Sequence, residues 1–151
     1  MSIARRDYIL RLIEQFAEAL ARIMGLRKAG KLDDAQKLAS ETADGIFGAL
    51  RVMIDQVDAS SAAALLGSRE KISVYAALTA ENAEIAAAKG DARKAQAHRR
   101  RALELFLEAS RVGTLDTQSR ATVESLRQTI DVERLGDRYR ELIARLPTLT
   151  T

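Results

Sequence analysis

The sequence predicts an all-α fold, in which antiparallel helical hairpins form a short, irregular array of about six helices. Alanine, leucine, arginine and glutamate dominate the 151 residues, and Pro147 is the only proline, a composition that favours helices. Apolar residues recur at helical spacing, and no segment shows the period of two that strands require. Two turns share one design, a glycine followed five residues later by an alanine, at Gly30–Ala35 and Gly90–Ala95.

The first helix is expected from about residue 4 to residue 29. Its apolar arc spans roughly 200° of the helical wheel, about twice what an ordinary surface helix needs, so the helix must be covered on two sides. The second predicted helix should cover one side. For the N-terminal half we favour helix 1 of a second chain on the other side, in a two-fold dimer; helices 3 and 4 of the same chain are the alternative. The expected self-association anchors are Ile9, Leu10, Ile13 and Phe16.

The second helix is expected from about residue 33 to residue 57. One apolar phase continues through Gly45 and Gly48, which predicts a single helix although each glycine costs roughly 1 kcal/mol against alanine. Residues 58–68 form a connector, with a short helix at about 60–66.

The third helix, from about residue 69 to residue 89, has Ser68 as its N-cap candidate, and the fourth runs from about 92 to 112. The fifth begins at a cap on Asp116 or Thr117 and ends near residue 134. There the apolar phase shifts by nearly half a turn, which predicts a break near Gly136 and a sixth helix to residue 146. Residues 1–146 are therefore expected to form a single helical domain, and residues 147–151 a flexible tail.

Composition excludes several classes of function. There is no cysteine, which excludes disulfides and thiolate metal sites. The net charge is only +3 and aromatic residues make up 4% of the chain, so specific nucleic-acid binding is not expected. Arg11 and Glu14 interrupt the apolar run that a signal peptide needs, and no run reaches the length of a membrane span. We therefore expect a cytoplasmic protein with no membrane partner.

Catalytic signatures are missing from the sequence. His98 is the only histidine, and the helical wheel places it at the edge of the solvent face, without an orienting partner for a catalytic base. No phosphate-binding glycine loop and no dinucleotide fingerprint occurs. We expect no enzymatic activity, no cofactor and no metal.

The densest group of positive charges lies on the fourth helix, at Arg93, Lys94, Arg99, Arg100 and Arg101. Arg93 and Lys94 fall in its first turn, where the helix dipole disfavours cations. An anion or an acidic partner would relieve this conflict, which makes Arg93, Lys94, Arg99 and Arg100 candidate contacts. The plainer interpretation is relief by nearby carboxylates, such as Glu104 four residues after Arg100.

Asn82 and Arg99 fall on the apolar faces of the third and fourth helices. A hairpin folded about Gly90 opposes positions whose numbers sum to about 180, so these two residues should face one another. We expect a buried polar pair supported by a carboxylate such as Glu81, because a buried guanidinium needs acceptors. The alternative is a small pocket for an anionic ligand or a partner's carboxylate.

The two Gly-x-x-x-x-Ala turns resemble the tetratricopeptide repeat, in which such a glycine joins two antiparallel helices and the alanine permits close packing. Ala102 also occupies a position that is small in that family. The turns lie 60 residues apart, whereas the repeat has a period of about 34. Residues 7–15, followed by the Gly30 hairpin, are similar to a family of small bacterial proteins with no assigned function. That similarity extends to about Ala109 and implies a helical fold in a bacterial cytoplasm.

These features favour a non-enzymatic protein-interaction or assembly scaffold that associates with itself through helix 1. The alternative is a binding module for an acidic peptide or a small anion that uses the region around Arg99. A homo-oligomer is expected in the first case, and a charged partner in the second.

Overall fold

The structure, a computed structural model, describes residues 3–147, and every regular element in that range is helical. The predicted all-α class is thereby confirmed for this part of the chain. Except for Pro147, the tail predicted over residues 147–151 lies outside the described residues. A 3-10 turn covers Val132–Arg134. The helices are α1 (Ile3–Lys28), α2 (Leu32–Phe47), α3 (Leu50–Gln56), α4 (Ala59–Leu66), α5 (Arg69–Ala88), α6 (Ala92–Val112), α7 (Thr117–Thr129) and α8 (Asp137–Ala144).

The repeated glycine turn has the same structure in both places. Gly30 has φ +79° and Gly90 has φ +84°, values that glycine adopts without steric cost. In each turn the glycine N–H donates to the carbonyl three residues earlier, and the next N–H donates to the carbonyl five residues earlier, at 2.9–3.0 Å. This is the Schellman arrangement that ends a helix. Ala35 and Ala95, at 0% exposure, then let the next helix pack closely.

The single helix predicted over residues 33–57 is wrong, because the chain breaks at Gly48 between α2 and α3. Gly48 has φ +57°, outside the right-handed helical region. Arg51 braces the break by donating to the Ser40 carbonyl at 2.9 Å and to Asp44 Oδ1 at 2.8 Å. The apolar phase that suggested one helix runs in the sequence through Met53, but beyond the break Met53 is 53% exposed and the next residue, Ile54, is fully buried instead.

The remaining helix ends follow local signals. The short helix expected at 60–66 is present as α4. The Ser68 hydroxyl accepts from the Lys71 N–H at 3.2 Å, which confirms the predicted cap of α5. At the start of α7 the cap is Asp116, whose Oδ1 accepts from the Ser119 N–H at 2.7 Å. α7 ends at Thr129 rather than near residue 134, because the chain turns into the 3-10 segment first.

The hairpin of α5 and α6 forms the centre of the fold. α5 packs on α6, α2 and α1, while α6 also contacts α4, α7 and α8. Leu105, Phe106 and Leu107 are consecutive in α6, yet none exceeds 1% exposure. Successive residues point about 100° apart around a helix, so α6 must have neighbours on every side there. Within residues 3–147, no helix combines the length and apolarity needed to cross a membrane.

α1 packs on α2 and on α5 of its own chain. Because α5 is the third helix of the sequence prediction, this is the alternative that was expected for the second side of α1. Ile9 and Phe16 are 9% and 8% exposed, so their side chains are already buried within one chain. Leu10 and Ile13 differ, at 49% and 37% exposure. Two of the four proposed self-association anchors are therefore buried in the core, and only Leu10 and Ile13 remain exposed for a dimer contact.

Candidate functional site

A groove of about 690 Å³ opens between α2 and α3 on one side and α6 on the other. α5 forms its floor, since α5 packs on both α2 and α6 and supplies lining residues from Tyr75 to Ala86. The α2 wall is built from small side chains, including Ala39 and Ala43, which leave space above the floor. We call this feature the central groove.

The α6 wall of the central groove is basic. Lys94, His98 and Arg101 line it, and their spacing of four and three residues places them on one helix face. His98 is half-buried, and burial is the main reason that its pKa is held below the ordinary value. The positive charges of Lys94 and Arg101 lower that pKa further, against a smaller opposite effect from Asp91. At neutral pH this wall therefore carries two positive charges beside an uncharged imidazole.

Arg101 is fixed by the end of α3. Its Nη1 donates to the Val57 carbonyl at 2.8 Å, and its Nη2 donates to the Ile54 carbonyl at 2.6 Å. These are the last carbonyls of α3, where a cation also complements the helix dipole. The Tyr75 hydroxyl accepts from Arg101 at 3.1 Å and donates to Asp55 Oδ1 at 2.7 Å. Burial is the leading cause that raises the pKa of Tyr75 to about 12, so the phenol remains a neutral donor.

The opposite ends of the groove are also held by ion pairs. Arg51 lies 2.8 Å from Asp44 Oδ1, and Lys89, the C-cap residue of α5, lies 2.7 Å from Asp33 of α2. The Lys89 pair joins the C-terminal end of α5 to the N-terminal end of α2. These cations are occupied within the chain, so they shape the groove and contribute to its potential.

Lys94, Asn82 and His98 are the polar groups of the groove whose side chains have no hydrogen bond or ion pair in the described part of the chain. Among residues 3–147, the Lys94 ammonium has no carboxylate within ion-pair distance, and the Asn82 amide has no hydrogen-bond partner. Asn82 lies half-buried on α5 and Lys94 lies exposed on α6. An ammonium and an amide NH₂ facing one groove can both donate to a carboxylate. The arrangement therefore suits recognition of an acidic group.

The residues that the sequence suggested as binding contacts lie partly inside and partly outside the central groove. Lys94 and Asn82 line the central groove, whereas Arg93 is exposed and lies outside the set that lines it. Arg100 lies 3.5 Å from Glu104, which is the ion pair between residues four apart that the plainer interpretation of the sequence expected. Arg99 also lies outside the groove, with its Nη2 3.8 Å from Glu84.

The expected hydrogen bond between Asn82 and Arg99 does not form within residues 3–147, because Arg99 contacts Glu84 and Gln96 instead. The supporting carboxylate is also used elsewhere, since Glu81 is buried in an ion pair with Arg27 of α1. The rule that opposed positions in this hairpin have numbers summing to 180 pairs Asn82 with His98, and both of these residues line the central groove. One residue turns the side chain by about 100°, which moves Arg99 out of the groove.

His98, Arg101 and Tyr75 are groove residues that sequence reasoning missed. The signal for the first two was present, because Lys94, His98 and Arg101 share one helix face. Among residues 3–147, no group of three or more acidic, histidine or cysteine side chains is placed to hold a metal ion. Comparison of the chain with protein-family models, with curated proteins and with solved structures found no match. The interpretation of the central groove therefore depends on its own geometry.

Proposed function

We propose that the chain is a non-enzymatic protein-interaction module whose central groove binds an extended acidic peptide segment of a partner. The observation that carries this proposal is the pair of unused donors, Lys94 and Asn82, which both line the central groove. Leaving the half-buried Asn82 amide without a hydrogen-bond partner is unfavourable, and the exposed Lys94 ammonium adds a positive charge to the same groove. A carboxylate in the groove supplies acceptors for both.

The balance of charge in the groove supports an acidic partner. Two of the four cationic side chains that line it, Arg51 and Lys89, are paired with carboxylates. The other two, Lys94 and Arg101, have no carboxylate within ion-pair distance among residues 3–147, so the α6 wall is the positive side of the groove. A cleft lined by one sign of charge concentrates its field and steers an oppositely charged partner. The volume of about 690 Å³ falls in the usual range for a binding cleft, roughly 300–1,000 Å³.

The floor of the groove adds apolar surface to this charge. Leu78 and Ile85 contribute from α5, opposite Ala39 and Ala43 of α2. A peptide that alternates acidic and aliphatic side chains satisfies both features, because its two sets of side chains point in opposite directions when it is extended. The proposed recognition site is therefore the α6 wall around Lys94 rather than the region around Arg99 that the sequence suggested.

We also propose that α1–α2 and α5–α6 are equivalent hairpins of a tetratricopeptide-like array, with α3 and α4 inserted between them. The identical glycine turns support this, as do the helix directions. Phe47 contacts Tyr75 while Asp33 contacts Lys89, so α2 and α5 are antiparallel. Arrays of this kind present an extended concave surface for binding, and the central groove lies on the α2–α5–α6 side.

The groove proposal predicts a selective effect of Lys94→Glu. The probe is a fluorescein-labelled peptide of alternating glutamate and leucine, measured by fluorescence anisotropy at physiological salt. We expect Lys94→Glu to weaken binding at least about tenfold, because a charge-assisted hydrogen bond contributes roughly 1.5–3 kcal/mol and the substitution also repels the peptide. Asn82→Ala should weaken it by a smaller factor.

Arg93→Glu is the matched control, since it makes the same charge change one residue away and outside the groove lining. It should leave the affinity within about twofold of the wild type. Equal losses in Lys94→Glu and Arg93→Glu would indicate non-specific charge attraction. A peptide in which glutamine replaces glutamate should not bind, and its binding with equal affinity would rule out recognition of carboxylates.

A second candidate function, self-association through α1, is favoured by a stripe of exposed apolar side chains. Ile3, Leu10 and Ile13 are 81%, 49% and 37% exposed, and their spacing of seven and three residues places them on one face of α1. A two-fold dimer places such a stripe against its own copy. We propose this contact as the means by which the module assembles.

The dimer proposal predicts that Leu10→Glu with Ile13→Glu yields a folded monomer. Both side chains are exposed within one chain, so the change should spare the fold, whereas Ile9 and Phe16 belong to the core and are unsuitable for this test. Light scattering with circular dichroism measures mass and helicity. Val52→Glu with Met53→Glu, on the exposed surface of α3, is the control and should remain dimeric. A wild-type monomer at tens of micromolar would refute self-association.

A further inference from the structure

A second cavity, of about 580 Å³, lies where the C-terminal end of α6 meets α7 and α8. We call it the distal cavity; none of its lining residues belongs to the central groove. Its wall combines apolar side chains with an excess of arginine. Leu115, Val123, Leu142 and Leu146 supply aliphatic surface. Arg111, Arg120, Arg127 and Arg145 supply positive charge, against the single carboxylate of Glu124.

The arginines of the distal cavity are not equivalent. Arg111 lies 3.2 Å from Glu108, and Arg127 lies 3.4 Å from Glu124. Arg120 has no such partner within residues 3–147, and its Nε is buried from solvent without an acceptor. The Arg145 guanidinium likewise has no hydrogen bond or ion pair among the described side chains. Two guanidinium groups therefore border the cavity with donors unused.

A buried N–H without an acceptor is costly and rare in folded proteins. The Arg120 Nε is shielded even from water, so a ligand in the cavity reaches Arg120 through its terminal nitrogens, which likewise have no acceptor among the described residues. A carboxylate accepts two parallel hydrogen bonds from one guanidinium, which fits arginine better than a point-charge contact. The aliphatic side chains of the same lining, such as Val123 and Leu142, gain nothing from a hydrated inorganic ion and favour a ligand with an apolar body.

We propose that the distal cavity binds a small amphipathic organic anion, a carboxylate on a short aliphatic chain. The carboxylate accepts from Arg120, with Arg145 as the second cation, and the chain lies along Val123, Leu142 and Leu146. The volume is within the range of small-molecule sites. This site is independent of peptide binding in the central groove, because the two share no lining residue.

The test is calorimetric titration of the full chain with octanoate, octan-1-ol and acetate. Octanoate carries both the charge and the chain, octan-1-ol carries the chain alone, and acetate carries the charge alone. We expect octanoate to bind at least about tenfold more tightly than either, since each buried methylene strengthens binding about three- to fourfold. Absence of octanoate binding up to millimolar concentration, or equal affinity for octan-1-ol, would overturn the proposal.

Substitutions assign the binding to the cavity. Arg120→Gln should weaken octanoate at least about tenfold and leave octan-1-ol unchanged, and Arg145→Gln should weaken octanoate by a smaller factor. The matched control is Arg134→Gln, because that side chain is 84% exposed and lies outside the cavity lining. Circular dichroism verifies folding, and Arg145→Gln decides the question if Arg120→Gln is unfolded. Wild-type octanoate affinity in the folded variants would contradict the assignment.

Discussion

Replacing Phe106 with alanine is expected to lower the free energy of unfolding by about 3–5 kcal/mol. Phe106 is 1% exposed and lies between Leu105 and Leu107, which are both fully buried. Its helix, α6, packs on α4, α5, α7 and α8, so the void that the substitution leaves lies inside the core. Among those helices, α5 also contacts α4 and α7, which restricts the collapse that would otherwise fill such a void.

Chemical denaturation followed by circular dichroism measures this loss. Val112→Ala is the control on the same helix, because Val112 is 55% exposed and its truncation should change stability by less than about 0.5 kcal/mol. Similar effects of the two substitutions would contradict the central position of α6. An unchanged m-value would show that the loss arises in the folded state rather than in the denatured ensemble.

The helices and turns were predictable because their signals are local. The glycine turns at Gly30 and Gly90 end their helices with the same hydrogen bonds, and the caps at Ser68 and Asp116 form as their side chains predict. Each such signal acts within a few residues of the chain. The break at Gly48 was missed because the apolar residues of the sequence keep the same phase before and after it, so their periodicity does not reveal the interruption.

Which helix lies at the centre was not predictable from the width of an apolar arc. The predicted apolar arc of α1 spans roughly 200°, yet α1 lies at one side of α5. α5 is buried over the whole run from Ile72 to Ala76, which includes Ser73. Small residues such as alanine and serine add little to hydropathy, but they permit close helix approach. Hydropathy therefore underestimates the burial of α5.

The candidate site shows how finely the sequence could place side chains. Asn82 was correctly placed opposite the middle of α6, but its groove neighbour is His98 rather than Arg99. To assign a side chain to one face of a helix, its direction around the helix axis must be known to within about 50°, which is half of the 100° between successive residues. The length of the turn at Gly90 sets that angle, and the sequence alone leaves it uncertain by about one residue.

Glu108 fixes α8 to α6, and its removal is the second large effect that we expect. Glu108 is 2% exposed. Arg138 donates from Nε to Oε2 at 2.9 Å and from Nη2 to Oε1 at 2.8 Å, and the Tyr139 hydroxyl donates to Oε2 at 2.8 Å. Burial acts to raise the pKa of Glu108, but the hydrogen bonds from Arg138, Tyr139 and Arg111 together lower it below the ordinary value of 4.5.

Glu108→Ala should therefore lower the free energy of unfolding by about 2 kcal/mol. This is less than the 3–5 kcal/mol typical of breaking a fully buried pair, because the Arg138 side chain is 45% exposed and can be hydrated again once the carboxylate is gone. The loss should be greatest in α8, whose short length gives it little stability of its own. Hydrogen exchange of residues 137–144 should become much faster than that of α5.

Acid titration gives an independent measurement of the same contact. The pKa of Glu108 is lower in the folded chain than in the unfolded chain, so its contribution to stability is complete above the ordinary carboxyl pKa and disappears as the pH falls through the folded value. The Glu108→Ala variant should lack this component, and its stability should approach that of the wild type in acid. Glu124→Ala, which removes a 47% exposed partner of Arg127, is the control and should leave α8 protected. Unchanged protection of α8 in Glu108→Ala would show that apolar contacts through Ile143 and Leu142, rather than the buried carboxylate, hold α8 in place.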